Sequence, residues 1–327
     1  MLKVAMLSKW HVHAEGYANT VLKTGKAEIT AVWDDDPERG LAWAKELGCD
    51  YEKDLDVLLA RKDVEAVVCD APTTSHKDIL IKAAKARKHI FTEKSMAPTQ
   101  SECEEIAKEV EKAGITFTIS LPQRVQPVIQ FAKKMIDEGV FGKISLVRIR
   151  NGHDGVSGKW LPDYWFEEKD TAGGALMDLG CHPMYTATYL LGKPKRVSSI
   201  MTQLYSTGLD ENASVTIEFD NGAVCTGETS FVTFNTPGMV EIYGTDATLI
   251  ASGSQVDFYQ KDINKFSSSP IKPHLPAESP IPLEIWVDAC VNKTGTPDMF
   301  NPREGVSLAQ LLENAYISNK ENRIVEL

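Results

Sequence analysis

The first 121 residues alternate short apolar runs with amphipathic stretches. Apolar runs of strand length occupy residues 2–7, 28–33, 64–70, 88–93 and 115–121. Helix-like stretches lie between them at residues 14–22, 37–47, 75–86 and 99–113. Because short continuous apolar runs are typical of buried strands, their alternation with helices predicts a parallel, doubly wound sheet with helices on both faces.

The pattern changes after residue 121. Helices are predicted at residues 126–137, 174–191, 283–293 and 303–319, and a loop at the Ser- and Pro-rich residues 264–282. Strand-like runs follow one another at residues 143–150, 197–205, 213–219, 223–231, 238–244 and 247–252. Turn residues such as Asp220-Asn221-Gly222 separate these runs, so the pattern predicts hairpins and a mostly antiparallel sheet. We therefore expect an α/β protein with two domains, residues 1–122 and 123–327.

Composition and charge exclude several classes of protein. Charged residues make up 25% of the chain and the net charge is -11, with no basic stretch of the kind that binds nucleic acid. No apolar stretch approaches the ~18 residues of a membrane span. The six cysteines are scattered and none forms a C-x-x-C pair, which is typical of free thiols in the cytosol. We expect a cytoplasmic protein that binds neither nucleic acid nor a membrane.

The turn after the first strand is the first candidate site, because ligands of doubly wound sheets bind beyond the carboxyl ends of the strands. A dinucleotide-binding turn usually reads G-x-G-x-x-G, yet residues 8–13 read SKWHVH and contain no glycine. The N-terminus of the following helix could still attract a phosphate. The alternative is an ordinary turn in a domain that binds no nucleotide. His11 and His13 would need a third ligand to hold a metal, and since the sequence indicates none, we predict no metal.

An acidic group follows the second strand, where the adenosine ribose of a dinucleotide would lie. Asp34 is the strongest candidate there, because a carboxylate accepts hydrogen bonds from ribose hydroxyls and repels a 2′-phosphate. Asp35 and Asp36 fit equally well as the solvated cap of the next helix. This turn favours NAD over NADP.

Two further positions could carry chemistry. Lys94 lies at the end of a buried strand, where a lysine points into the ligand crevice and burial can lower its pKa. Asp178 and His182 are four residues apart, so in a helix they share one face. Histidine suits the uptake of a hydroxyl proton near neutral pH, and a nearby carboxylate can orient its ring. The alternative is a structural Asp–His pair buried for packing.

Together these motifs resemble the Gfo/Idh/MocA family of dinucleotide-dependent oxidoreductases over nearly the whole chain. The matching segments are the strand-and-helix half, residues 71–76, the Glu-Lys-Pro motif seen here as Glu93-Lys94-Ser95, Gln123-Arg124, residues 136–142 and the GG-x(3)-D-x-G-x-H run ending at His182. The last two segments are fairly specific in motif and spacing. Each of the shorter pieces is unspecific by itself.

The resemblance implies a Rossmann domain that binds NAD(P), followed by a substrate-binding and oligomerisation domain with a large, mostly antiparallel sheet. It implies sugars, inositols or related polyols as substrates. Lys94, Asp178 and His182 resemble the family's catalytic trio: His182 accepts the proton, Asp178 orients the substrate hydroxyl or His182, and Lys94 hydrogen-bonds to the reacting oxygen. The expected cofactor-binding residues are Ser8, Trp10, His11, Asp34, Pro72, Thr73, His76 and Glu93.

Two positions depart from the family pattern. Trp10 stands where relatives have a small phosphate-loop residue, so the indole should crowd the diphosphate unless it packs away. Ser95 replaces proline after Lys94. A cis bond costs ~3–4 kcal/mol before a residue other than proline, against ~0.5–1 kcal/mol before proline. We therefore expect a trans Lys94–Ser95 bond.

Expected substrate contacts are Arg124, His153, Trp160, Tyr164 and Trp165. Residues 160–165 read WLPDYW, an aromatic run that suits stacking on a sugar face. Packing of a loop or of a subunit contact explains the same residues equally well. By resemblance, a homo-oligomer is expected, either dimer or tetramer, because an antiparallel sheet with one open apolar face tends to pack against another.

The leading hypothesis is an NAD-dependent dehydrogenase that acts on a hydroxyl-bearing carbon of a sugar, inositol or glycoside. A second hypothesis is a redox-neutral enzyme that oxidises a glycoside transiently, cleaves it through the keto intermediate and returns the hydride. A third is a non-catalytic protein that binds NAD or sugar. The missing glycines support the third hypothesis, whereas Lys94, Asp178 and His182 argue against it.

Overall fold

The computed structural model describes residues 1–263 and 269–327, which form two compact units. The first unit comprises residues 1–122 and 280–309. The second comprises residues 123–279 and 310–327. The expected loop at 264–282 falls partly on residues 264–268, which lie outside the described residues. Within the described ranges, no helix combines the length and the apolar character that crossing a membrane requires.

A parallel sheet of six strands organises the first unit, with the strand order β3-β2-β1-β4-β5-β6. The strands are β1 (Leu2–Leu7), β2 (Ala27–Trp33), β3 (Asp50–Tyr51), β4 (Ala66–Cys69), β5 (His89–Thr92) and β6 (Phe117–Ile119). Strand order reverses between β1 and β4, which is the point where doubly wound sheets bind their ligands. The predicted parallel sheet is confirmed.

The helices of the first unit follow the strands in alternation. They are α1 (Ala14–Lys23), α2 (Pro37–Leu47), α3 (Leu55–Ala60), α4 (His76–Lys85) and α5 (Gln100–Ala113). Local chemistry fixes their ends: Asp36 caps α2 ahead of Pro37, and Thr99 with Glu102 forms a capping box at the start of α5. Five of the strands and four of these helices were predicted; β3 and α3 were too short to give a clear periodic signal.

The first unit also contains α9 (Pro282–Asn292), which the sequence analysis places in the second domain. Leu283, Trp286 and Val287 of this helix are buried in one apolar cluster with β1 and with Phe91 of β5. The Trp286 and Phe91 ring centroids lie 5.9 Å apart. An apolar helix face can complete either core, and the sequence pattern alone does not distinguish between them.

An eight-stranded sheet organises the second unit, with the order β13-β12-β11-β7-β10-β9-β8-β14. The strands are β7 (Ile144–Gly152), β8 (Pro194–Thr202), β9 (Asn212–Phe219), β10 (Val224–Ser230), β11 (Met239–Gly244), β12 (Ala247–Ser252), β13 (Gln255–Gln260) and β14 (Val325–Glu326). All neighbours are antiparallel except β7 and β10. The predicted mostly antiparallel sheet is confirmed, and β13 and β14 are additions to it.

Helices of the second unit are α6 (Pro127–Asp137), α7 (Glu168–Thr171) and α8 (Cys181–Leu191). The last helix, α10 (Pro302–Glu321), begins in the first unit and ends in the second. The predicted helix at 174–191 is in two parts, because a π-helical turn at Leu176–Gly180 precedes α8. π-helical turns within helices occur frequently at functional sites.

The packing of α9 predicts the effect of truncating Trp286. Trp286→Ala should lower the free energy of unfolding by about 3–5 kcal/mol, because it leaves a cavity under the first sheet. Val291→Ala is the matched control: the side chain belongs to the same helix but is 43% exposed, so its loss should change stability little. Urea denaturation of both variants measures the difference, and equal midpoints would contradict the packing described here.

Candidate active site

Polar side chains collect where the strands of the first sheet end. The turn after β1 contributes His11 and His13, Asp70 follows β4, Glu93 follows β5 and Ser120 follows β6. Because β1, β4, β5 and β6 are successive neighbours in a parallel sheet, their carboxyl ends lie along the same edge. This carboxyl edge is the candidate site of the first unit.

Glu93 is the centre of a hydrogen-bond network at the carboxyl edge. Its Oε1 atom lies 2.7 Å from Nδ1 of His13 and accepts a short hydrogen bond from the Tyr17 hydroxyl. Its Oε2 atom accepts the backbone N–H of Lys94 at 2.7 Å. The Tyr17 hydroxyl also lies 2.8 Å from Oγ of Ser120. Burial raises the pKa of Glu93, but the nearby His11 and His13 outweigh it and hold the pKa well below its usual value.

Asp70 is a second carboxylate at this edge. It is 0% exposed, and neither of its side-chain oxygens has a hydrogen-bond partner among the described residues. Burial, followed by the charge of Glu93, raises its pKa well above the usual value. A buried carboxyl group without a hydrogen-bond partner is costly in its charged form, and the raised pKa of Asp70 reflects that cost.

The turn after β1 reproduces one feature of a glycine-rich loop. Ser8 has a φ of 70°, a left-handed conformation that favours glycine. Its Oγ accepts the backbone N–H of Trp10 at 3.2 Å. The Trp10 side chain is only 4% exposed, so the indole is packed in the protein. His13 provides no side-chain cap for α1, whereas the backbone N–H groups of His13 and Ala14 are both hydrogen-bonded to His11.

The Asp34 carboxylate is hydrogen-bonded to neighbouring residues of the first unit. Its carboxylate accepts the Lys9 backbone N–H at 2.8 Å and the Arg39 Nε at 3.0 Å. Burial raises the pKa of Asp34, but the hydrogen bonds from Arg39 and from the Lys9 and Asp36 amides outweigh it and lower the pKa. The sequence analysis missed Arg39, which reaches back from the first turn of α2 to bridge Asp34 and Asp35.

His76 connects the ends of two strands. Its Nε2 lies 2.9 Å from the carbonyl oxygen of Ala71, after β4, and its Nδ1 lies 3.0 Å from that of Ser95, after β5. A neutral ring carries one N–H and can donate to only one of these carbonyls. The neutral ring can therefore be hydrogen-bonded either to Ala71 or to Ser95, and it packs between the ends of β4 and β5. Pro72 and Thr73 lie in the turn between Ala71 and His76, and Thr73 is buried.

Lys94 is buried at the end of β5, with 4% of its surface exposed. The Lys94–Ser95 bond is cis, so the expected trans bond is wrong. We expected a trans bond because an isolated peptide bond before a residue other than proline strongly prefers the trans form. Here the segment is buried on both sides of that bond, and the Ser95 carbonyl faces His76.

The structure brings a third potential metal ligand, which the sequence did not indicate, close to the two histidines. Potential ligand atoms of His11, His13 and Glu93 all lie within 4.8 Å of one another. The two histidines are 80 or more residues from Glu93 in the chain, and only the parallel order of β1, β4 and β5 brings them together. No local spacing could have indicated the set.

In the second unit, Asp210 fixes the paired glycines that precede the π-helical turn. Its carboxylate accepts the backbone N–H of Gly174 at 2.9 Å and of Leu176 at 2.7 Å, and the Tyr316 hydroxyl at 2.9 Å. A Cβ atom on Gly174 would lie 2.1 Å from the Asp210 carbonyl oxygen, so only glycine fits there. The sequence analysis missed Asp210, because nothing in its own loop marks it.

His182 is the first buried polar side chain of α8. Its Nδ1 lies 2.6 Å from the Tyr185 hydroxyl, which accepts the backbone N–H of Gln123 at 3.1 Å. Asp178 is half-buried within the π-helical turn. Because that turn widens the helix, the expected one-face relation of Asp178 and His182 does not follow from α-helical spacing. Tyr185 is a further residue that the sequence analysis missed, although it lies one turn beyond His182.

The expected substrate contacts occupy different environments. Arg124 is buried, with its guanidinium 5.2 Å from the Tyr189 ring centroid. The His153 ring stacks on Phe231 and lies 4.5 Å from the Trp160 ring, centroid to centroid. Trp160 and Tyr164 are exposed, whereas Trp165 is buried. Of the aromatic run, Trp160 and Tyr164 therefore present rings to solvent.

His76 predicts a pH dependence of stability. Burial lowers the pKa of His76 below about 6.5, despite its carbonyl contacts. Below that pH the unfolded chain binds a proton that the folded chain does not, so the free energy of unfolding falls as the pH falls. His76→Asn should flatten the decline of the melting temperature between about pH 7 and pH 5, relative to wild type and to the exposed control His274→Asn. The partly buried His89, whose pKa is also lowered by burial, contributes equally to all three proteins. Parallel curves for wild type and His76→Asn would contradict this role.

Both units match models of known protein domains. Residues 10–121 match the model of the oxidoreductase family with an NAD-binding Rossmann fold, and residues 129–250 match the GFO/IDH/MocA C-terminal domain. The chain is 34% identical over 209 residues to 2,7-anhydro-N-acetylneuraminate hydratase of Escherichia coli, a match covering 62% of this chain and 55% of that protein. It is 28% identical over 241 residues to D-xylose 1-dehydrogenase (NADP(+)) 2 of Haloferax volcanii, covering 71% and 70%.

A solved structure extends the likeness to the full length. Levoglucosan dehydrogenase in complex with NADH and levoglucosan superposes with a TM-score of 0.87, covering 99% of each chain at 20% identity. At this identity the likeness concerns the fold. The match to the hydratase spans about half of that protein's length. The two family models together match most of the chain, and the protein belongs to the Gfo/Idh/MocA family of oxidoreductases.

Proposed function

We propose that this protein is an NAD-dependent dehydrogenase that acts on a hydroxyl-bearing carbon of a sugar, inositol or glycoside. The observation that carries the proposal is Lys94, a buried lysine beside Glu93 at the carboxyl edge of a sheet with dinucleotide-binding strand order. The names of the relatives, which act on xylose and on an anhydro sugar acid, support the class of substrate.

The residues at the carboxyl edge fit a dinucleotide. Ser8 adopts the left-handed conformation of a loop glycine, the indole of Trp10 is buried, and α1 begins without a side-chain cap. We assign cofactor binding to Ser8, Trp10, His11, Asp34, Pro72, Thr73, His76 and Glu93. When bound, NAD accepts a hydride from the carbinol carbon. The amide groups at the start of α1 favour a phosphate through their partial positive charge.

His182 is the proposed proton acceptor. To accept a proton, its Nε2 must present a lone pair, which leaves the N–H on Nδ1. Tyr185 favours that tautomer: its oxygen can accept Nδ1–H of His182 at 2.6 Å while also accepting the backbone N–H of Gln123. Tyr185 is thus a positioning residue for the ring.

Lys94 and Asp178 complete the proposed catalytic set. An ammonium group hydrogen-bonded to the substrate hydroxyl favours the developing negative charge on that oxygen and so eases loss of its proton. Asp178 orients the hydroxyl or the His182 ring. The Asp210 carboxylate holds the turn from which Asp178 projects.

We propose that exposed aromatic side chains of the second unit bind the substrate. Trp160 and Tyr164 present exposed rings that suit stacking on a sugar face, and the indole N–H of Trp160 is held by Asp154 at 3.0 Å. We propose that Arg124, His153 and Trp165 also contribute to substrate binding, and the His153 ring packs against Trp160. We also propose a cytoplasmic homo-oligomer, either a dimer or a tetramer.

A second candidate is a redox-neutral reaction. The observation favouring it is the 34% identity to a protein named a hydratase, since addition of water changes no net oxidation state. Such an enzyme would oxidise the sugar transiently and return the hydride after bond cleavage. Product analysis separates the two: a dehydrogenase accumulates NADH in proportion to product, whereas a redox-neutral enzyme forms product with only a catalytic amount of NAD.

Turnover tests the proposed base. Wild-type protein incubated with NAD and a panel of sugars, inositols, glycosides and anhydro sugars should reduce NAD with at least one of them. His182→Ala should lower kcat by ~10²–10⁴-fold, because general-base catalysis is lost. The exposed His274→Ala should retain wild-type kcat. Unchanged kcat in His182→Ala would remove that residue from the mechanism.

The neighbourhood of Asp34 predicts preference for NAD over NADP, because its carboxylate repels a 2′-phosphate. Calorimetric titration of wild type should give a lower Kd for NAD. Asp34→Ala should raise the ratio of NADP to NAD affinity at least ~10-fold, or about 1.4 kcal/mol, since Arg39 then becomes available to a phosphate. The exposed Glu38→Ala, which removes an acid at the start of α2, is the control. An unchanged ratio in Asp34→Ala would contradict this account of cofactor choice.

A further inference from the structure

We propose that His11, His13 and Glu93 bind a divalent transition-metal ion. Two imidazoles and one carboxylate form the ligand set of catalytic zinc sites, and the same set suits Fe²⁺, Co²⁺ and Ni²⁺. One potential ligand atom from each residue lies within 4.8 Å of the other two. The proposal goes beyond the proposed function, because hydride transfer to NAD needs no metal.

The fold itself assembles this ligand set. His11 and His13 lie in the turn between β1 and α1, and Glu93 directly follows β5. Only β4 separates β1 from β5, so the two strand ends are about 10 Å apart across the sheet, within reach of these side chains. The set therefore belongs to one rigid sheet edge.

The ligands need to move little to close around an ion. Tetrahedral coordination with bonds of ~2.1 Å places neighbouring ligand atoms about 3.4 Å apart. Nδ1 of His13 and Oε1 of Glu93 are already 2.7 Å apart, and the widest gap must close by no more than about 1.4 Å. The His13 side chain is half exposed, which gives an ion an entry path and gives the ring room to adjust.

Glu93 is positioned as metal-ligating carboxylates usually are. Its oxygens are oriented by the Tyr17 hydroxyl and by the backbone N–H of Lys94, and Tyr17 is in turn linked to Ser120. Such outer partners fix the direction of a ligand and are a regular part of metal sites.

The environment of Asp70 also supports a cation at this cluster. Its carboxylate is fully buried beside the cluster, its backbone carbonyl accepts the N–H of His11 at 3.0 Å, and its side-chain oxygens have no hydrogen-bond partner among the described residues. The pair between His13 and Glu93 does not extend to the Asp70 side chain. A cation bound by the three ligands would place a positive charge beside this buried carboxyl group, whose oxygens have no hydrogen-bond partner among the described residues.

When His11 binds the metal ion, it loses its hydrogen bond with the backbone of His13. Its Nδ1 accepts the backbone N–H of His13 at 3.1 Å. A ligand nitrogen must present its lone pair to the ion, so coordination through Nδ1 replaces this hydrogen bond and coordination through Nε2 moves the ring proton to Nδ1. Either route removes the amide contact and alters the turn at residues 11–13.

Cobalt titration tests the proposal. Full-length protein without a histidine tag is stripped with a chelator, dialysed and titrated with Co²⁺, followed by visible ligand-field absorption and by calorimetry, with no NAD or sugar present. We expect one Co²⁺ per chain, competed by Zn²⁺. His13→Ala and the isosteric Glu93→Gln should each weaken binding at least ~10-fold, whereas the exposed His274→Ala should bind as wild type does.

Two results would overturn the metal site. One is the lack of saturable Co²⁺ binding by the wild-type chain at sub-millimolar concentration. The other is unchanged affinity in His13→Ala and Glu93→Gln with circular dichroism like that of wild type. Because His13 is half exposed, its variant should fold even if Glu93→Gln does not. The titration contains no turnover, so a failure of the proposed dehydrogenase activity leaves its result unaffected.

Discussion

The buried carboxylate of Glu93 is the constraint on which the first unit's site depends. A charge that is 1% exposed at the end of a strand is tolerated only when it is paired or hydrogen-bonded. His13, Tyr17 and the Lys94 amide meet this requirement, and in doing so they fix the turn after β1, the start of α1 and the segment after β5. The position of the Lys94 backbone follows from this network.

Asp210 has a similar role in the second unit. Its carboxylate accepts hydrogen bonds from two backbone N–H groups and from the Tyr316 hydroxyl, and so stabilises the turn that leads into the π-helical segment. The paired glycines allow the Asp210 backbone to approach that closely. In both units, therefore, a carboxylate with several donors sets the backbone that presents the proposed catalytic residues.

Much of the fold could be predicted from the sequence, because hydrophobic periodicity reports directly on buried strands and amphipathic helices. It missed β3 and α3, which are short. It predicted the helix α9 but did not indicate that the apolar face of this helix packs in the first unit. The site was harder to predict. Lys94 was singled out as a strand-end residue, whereas Arg39, Asp70, Asp210 and Tyr185 carry no motif. Their roles depend on tertiary contacts, such as that of Asp210 with the backbone N–H of Gly174, that no sequence spacing encodes.

The central claim is that the carboxyl edge of the first sheet binds NAD. The most direct measurement is the crystal structure of the protein grown with saturating NAD. The account predicts a diphosphate at the start of α1 and a nicotinamide ring beside Lys94, with the indole of Trp10 still buried. NAD bound away from the ends of β1 and β5, or a crevice without nucleotide at saturating concentration, would contradict it.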